Sequence, residues 1–203
     1  RRVLYCVRRR GEATAEAVAA QLGITVSGAR QHLSALLADG LVDAHEETTT
    51  VSRPGRRTLV YRVSAAGDAQ FPKAYGELTN ELLGYLDSEE PGVVDRLFER
   101  RRHSRVAAAK QRLARRRSLE GRVDELTRIL DDDGYLASWE SAGPGTYLIV
   151  EHNCAIWSVA QRYGQSCITE LDFIREVLPD ASVERVQHMI AGAPHCAYEV
   201  RAR

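Results

Sequence analysis

Along the first forty residues the apolar positions recur at helical spacing, and glycines punctuate them. Val3, Leu4 and Val7 predict a first helix, with Cys6 packed among them. Thr14 is placed to cap a helix through Ala15, Val18, Ala19 and Leu22, which Gly23 stops in the left-handed geometry that glycine tolerates. A second helix follows at once, with Thr25 as its N-cap, Val26, Ala29, Leu33 and Leu36 or Leu37 on its buried side, and Asp39-Gly40 at its end. This is helix-turn-helix spacing. Beyond Gly40 the period changes to two: Leu41 to His45 and Thr58 to Val63 predict paired strands. Between them Arg53-Pro54-Gly55-Arg56-Arg57 reads as a type II turn flanked by arginines, the wing of a winged helix.

Residues 69–117 return to helical spacing, with Tyr75, Leu78, Leu82 and Leu86 in one stripe, a break at Glu89-Glu90-Pro91-Gly92, and a second segment from Val93 towards Arg117. The stripe serves either the chain's own core or a second subunit. Ser118 is placed to cap a helix carrying Leu119, Val123, Leu126 and Leu130, ended by Gly134. Strands are expected over Tyr135–Ser141 and Thr146–Glu151, with a third over Cys196–Val200. The class is therefore α+β. Its expected parts are a winged helix-turn-helix over residues 1–66, a helical linker and dimerisation region over 67–117, and a sensor domain over 118–203.

Composition adds one thing to this plan. The formal net charge is zero, but residues 1–66 carry ten arginines against six acids, whereas residues 118–203 carry seven basic residues against fourteen acids. A cationic end joined to an acidic one suits a polyanion-binding module attached to a domain that stays off the polyanion. On the second helix Thr25, Ser27, Gly28, Arg30 and Gln31 form the candidate face toward double-stranded DNA. Arginine forks to guanine, and glutamine to adenine. Arg53, Arg56 and Arg57 are the candidate wing contacts to phosphates or the minor groove. The triplets Arg100–Arg102 and Arg115–Arg117 read as solvated charge. No run has the length of a membrane span, and Arg1–Arg10 lacks the apolar stretch of a secretory signal, so a cytoplasmic protein with reduced thiols is expected.

The candidate chemistry lies in the last fifty residues, at Cys154, Cys167 and Cys196. Twelve residues separate the first two and twenty-eight the second pair, so only the fold can bring them together. Assembled, they suit a cluster or a metal ion; apart, they are three small buried hydrophobes. Leu22-Gly23-Ile24-Thr25 with Arg30-Gln31-His32-Leu33, the wing Arg53-Pro54-Gly55-Arg56, and the tail segments His152-Asn153-Cys154, Leu178-Pro179-Asp180, Val183-Glu184-Arg185 and Cys196-Ala197-Tyr198 resemble SufR-type repressors of iron–sulfur cluster assembly operons. That resemblance implies a homodimer with one [4Fe–4S] cluster per subunit, ligated by Cys154, Cys167 and Cys196, whose loss relieves repression of the operator.

Some of these relatives have a fourth cysteine, at the position that matches Ala181 here. The fourth iron then needs another ligand, for which His188 and His152 are the leading candidates; Glu184, an outside thiol and water also remain open. A helix over Ala181–Ile190 would set His188 near the angular position of Ala181, two turns along and about 10 Å away. His195, next to Cys196 on a strand, should point to the opposite face. The rival readings are a zinc or thiol-redox sensor on the same scaffold, and a small-molecule-responsive regulator with incidental cysteines. No Gly-rich phosphate loop, H-E-x-x-H or G-x-S-x-G occurs, and the chain is not expected to be an enzyme.

Overall fold

The computed structural model describes residues 1–46 and 58–203, and its contacts gather into two compact units, Arg1–Lys73 and Ala74–Arg203. Its mixed helices and antiparallel sheets make the chain α+β. The candidate wing residues Arg53, Arg56 and Arg57 lie outside the described residues.

In the first unit, helix α1 (Arg2–Arg10) leads into the short strand β1 (Glu12–Thr14) and helix α2 (Ala15–Leu22). The Thr14 hydroxyl accepts from the Ala17 amide at 3.2 Å, and Gly23, at φ 65°, turns the chain out of α2. Helix α3 (Val26–Ala38) starts in the same way, its cap Thr25 accepting from the Gly28 amide at 3.1 Å. Strands β2 (Val42–Glu46) and β3 (Leu59–Val63) pair antiparallel, and β1 joins the other edge of β3. A last short helix, α4 (Ala65–Asp68), leans so closely on the β2 entry that a Cβ at Gly67 would meet the Leu41 carbonyl oxygen at 1.9 Å. Val7, Val18, Ala29, Leu33, Val42 and Tyr61 fill the core. Cys6 is buried there with no other cysteine bonded to it.

In the second unit, helices α5 (Tyr75–Glu89), α6 (Val93–Leu113) and α7 (Leu119–Asp132) precede strands β4 (Ala137–Gly143) and β5 (Thr146–Glu151). A short helix α8 (Trp157–Ala160), helix α9 (Gln165–Val177), and strands β6 (Ala181–Gln187) and β7 (Cys196–Ala202) complete it. The sheet order is β4-β5-β7-β6, antiparallel throughout. Leu126, Leu130, Ile149, Phe173, Ile174 and Tyr198 are among the residues of its core, so α7, α9 and the sheet are packed as one body. Arg102 and Arg116, from the two basic triplets, pair with Glu176 and Glu125, so part of those runs braces helices instead of facing water. No residue of α5 is buried, and Tyr75, Leu78, Leu82, Tyr85 and Leu86 are exposed. No helix among the described residues is long and apolar enough to cross a membrane.

One local expectation is corrected. Residues 181–187 form strand β6, not a helix, because each pairs or lies beside a partner on β7, from Ala181 opposite Ala202 to Gln187 opposite Ala197. Cys167 sits in the first turn of α9, which the chain enters directly from Gly164.

Candidate functional site

One small hollow at the end of the second sheet brings together Cys154, Cys167, Cys196 and His188. Each arrives from a different element. Cys154 follows β5, in a loop pinned to the α7–β4 connection by Asn153, whose amide reaches the Tyr135 carbonyl at 3.0 Å and whose Nδ2 reaches the Gly134 carbonyl at 2.7 Å. Cys167 is carried by the first turn of α9. Cys196 opens β7 directly opposite Glu151, and its sulfur accepts from the Met189 amide at 3.4 Å. His188 ends the β6 side of the tight connection to β7, where its carbonyl accepts from the amides of Ala191 and Ala193.

The remaining candidates lie elsewhere. Ala181 is buried in the core at the far end of β6, six residues from Gln187 along a strand that rises about 3.3 Å per residue. A side chain there cannot reach the hollow, so no ligand is missing at Ala181, and the two-turn relation between it and His188 disappears with the helix. The ring of His152 is within hydrogen-bonding distance of the Ser138 hydroxyl, at 2.9 Å, and 6.0 Å from the ring of His195, outside the hollow. His195 precedes β7 and is not on the strand. Glu184 is exposed.

The lining also contains charged groups that sequence reasoning missed. Arg185 donates to the Cys167 carbonyl and lies over the Tyr198 ring, 5.6 Å from its centroid. Below it are Glu151, which accepts from the Tyr198 hydroxyl at 3.3 Å, and Glu170, which accepts from Arg105 at 2.6 Å and from the Tyr135 hydroxyl at 3.4 Å. Both acids occupy positions that the pattern reserves for apolar residues: Glu151 ends an apolar strand, and Glu170 shares a helix face with Cys167, Phe173, Ile174 and Val177. An acid on an apolar face was the available signal.

Burial sets the titration of these groups. It pushes the thiols of all three cysteines up, against the Ile156 amide at Cys154, the Ser166 hydroxyl at Cys167 and the Met189 amide at Cys196. Burial, then the charge of Glu170, raises the Glu151 carboxyl to about 8. Burial and Arg185 lower the His188 imidazole, which favours the neutral form that ligates metals. Four of the six partnerless buried side-chain polar atoms among the described residues belong to this lining: Glu151 Oε1, Glu170 Oε1, Arg185 Nε and His188 Nε2. Buried polar atoms are rarely left unpaired, so their concentration at one place marks a site prepared for something polar.

Among the described residues no group of three or more His, Cys, Asp or Glu side chains is already arranged around one metal ion. The irons of a cluster are separate points and do not require such convergence. The present hollow of about 20 Å³ is room for about one water, so a larger group requires its side chains to turn. None of the three thiols is bonded to another cysteine, and Cys154 and Cys167 are partly exposed. The donor set suits a cluster: three thiols that can ligate on losing their protons, an imidazole shifted toward its neutral form, an arginine, and the N-terminal end of α9, where the helix dipole favours negative charge.

In the first unit, Thr25, Ser27, Arg30 and Gln31 are exposed on α3, with Gly28 half-buried beside them. The Thr25 hydroxyl is committed to its cap, and Arg30 donates to Glu16 of α2 at 2.6 Å. No curated protein matches the chain. A family model for helix-turn-helix domains matches residues 1–44, which cover α1 through α3 and into β2, so this part of the first unit is a helix-turn-helix domain, of the kind that DNA-binding transcription regulators carry.

Proposed function

We propose that the chain is a homodimeric repressor in which a [4Fe–4S] cluster, one per subunit, supports binding to the operator of iron–sulfur cluster assembly genes, as the resemblance to SufR-type proteins implies. The observation that carries this reading is the gathering of three cysteines, far apart in sequence, around one hollow with the unpaired nitrogen of His188. Cys154, Cys167 and Cys196 would hold three irons and His188 the fourth. Bound there, the group supplies an iron- and oxygen-sensitive link between β5, α9, β7 and the β6–β7 connection.

The protein's own residues do the rest. Arg185 and the first turn of α9 offset negative charge, the Met189 amide fixes the Cys196 sulfur, and burial keeps His188 neutral. The role is ligation and coupling rather than catalysis. For occupancy to matter, the group must bind the DNA-competent arrangement more tightly than the alternative. The exposed stripe of α5 is the proposed dimer surface, since paired recognition helices read paired half-sites.

Anaerobic purification with assay of iron, acid-labile sulfide and visible absorption tests this. Brown protein with equal iron and sulfide, bleached by Cys154→Ser, Cys167→Ser or Cys196→Ser and not by Cys6→Ser, is expected. Colourless protein holding zinc on the same residues would replace the cluster with the zinc-sensing reading.

A further inference from the structure

We infer that Glu16 is a specificity-determining residue of the DNA-binding unit, acting on Arg30 as a positioning residue. The inference rests on the DNA-binding role of α3. Glu16 stands in the first turn of α2, and its Oε1 is 2.6 Å from Nη2 of Arg30, fourteen positions on along the chain. The two side chains are equally open to water, at 52% and 51%. An ion pair so exposed adds little to stability, which leaves its effect on the guanidinium as its consequence. The carboxylate stays ionised: hydrogen bonding at its own helix N-terminus and to Arg30 holds it below the usual carboxylate range.

Arg30 belongs to the face of α3 proposed to meet the groove, and Glu16 stands beside it. Glu16 and Arg30 line a hollow of about 300 Å³ with Ser34 of α3 and with Thr58 and Leu59, where β3 begins. A guanidinium held at one edge offers its remaining donors in one orientation, suited to a bidentate contact and poorly suited to a wandering phosphate. The carboxylate itself repels the phosphate backbone wherever no base contact compensates. Glu16 therefore penalises random DNA more than a cognate site, a built-in discrimination against the wrong partner.

The test uses the whole chain, prepared anaerobically, with two probes: duplexes enriched by the wild type from a randomised pool, and the unselected pool. Glu16→Ala is expected to bind the unselected pool roughly three- to tenfold more tightly. Its preference for the enriched duplexes should fall roughly five- to tenfold, the lower part of what one bidentate contact discriminates. Its salt dependence should steepen by about one ion as Arg30 moves to a phosphate. Glu16→Gln, which keeps an acceptor, should gain affinity for the pool and retain more preference than Glu16→Ala. In an Arg30→Ala background, Glu16→Ala should remove no further preference. Equal factors on both probes, or an undiminished loss of preference without Arg30, would overturn the role of Glu16 alone. A wild type that enriches no duplex would overturn the DNA-binding role with it.

Discussion

Arg105 of α6 reaches Glu170 of α9 at 2.6 Å beneath the cysteine hollow, while its other terminal nitrogen reaches Asp133 at 2.7 Å. Its guanidinium also lies 4.2 Å from the Phe173 ring centroid. Burial opposes the Arg105 charge, but Glu170 and Asp133 outweigh it and hold the guanidinium firmly protonated. One buried ion pair thus ties α6 and α9, and the end of α7, to the floor of the site.

Arg105→Met leaves the Glu170 carboxylate buried without its main counter-ion, and the expected cost is about 3–5 kcal/mol in chemical denaturation. Adding Glu170→Gln removes the stranded charge and should restore most of that loss. A double variant no more stable than Arg105→Met would show that packing against Phe173, not charge, is what the arginine supplies.

Glu151 predicts a pH dependence. Its folded-state pKa, about 8, lies above that of an ordinary carboxyl, so between about pH 4.3 and 8 the folded protein binds a proton that the unfolded chain has lost. Its contribution to stability is complete below that window and is lost as the pH rises through it. Glu151→Gln cannot ionise and should overtake the wild type by an amount on the order of a few kcal/mol, most of it gained by pH 8. Parallel stability curves for the two metal-free proteins from pH 5 to 8 would remove the buried, protonated acid from the account.

Thiol alkylation gives a third test. Because burial raises their pKa values, Cys154, Cys167 and Cys196 in metal-free protein should alkylate more slowly at pH 7 than a free cysteine and faster as the pH rises. Cys154 and Cys167, partly exposed, should precede buried Cys196. After cluster loading all three should be protected while Cys6 is unchanged, as peptide mass spectrometry can read.

The DNA-binding unit was legible because its signals are local. Thr14 and Thr25 cap the helices that their positions foretell, and Gly23 and Gly40 end them through backbone geometry that needs no distant partner. The second unit depends on partners far along the chain. Ala181, Val183 and Arg185 alternate toward the interior, but a bulge between Arg185 and Gln187 breaks the period and lets Val183, Val186 and Ile190 imitate a helical stripe. Only pairing with β7 decides the matter. The three cysteines stood out as residue types and Glu151 and Glu170 only as acids on apolar faces, whereas the meeting of Arg185 with them follows from the pairing of β6 with β7.

Arg30→Ala should reduce preference at one or two base pairs by about 1–3 kcal/mol, whereas Arg56→Ala or Arg57→Ala should weaken enriched and random duplexes alike and flatten the salt dependence. Equal loss of base preference in both kinds of variant would contradict the division between helix and wing. Competition binding over a salt series reads both quantities.

On the proposed function, a cluster held by Cys154, Cys167, Cys196 and His188 governs DNA binding. The most direct test of this is to titrate one enriched duplex with anaerobic, cluster-loaded protein and with the same sample after bleaching in air. Loss of affinity in step with loss of visible absorption is predicted, with faster bleaching in His188→Ala and weak binding throughout in Cys154→Ser. Unchanged affinity after complete bleaching would contradict it.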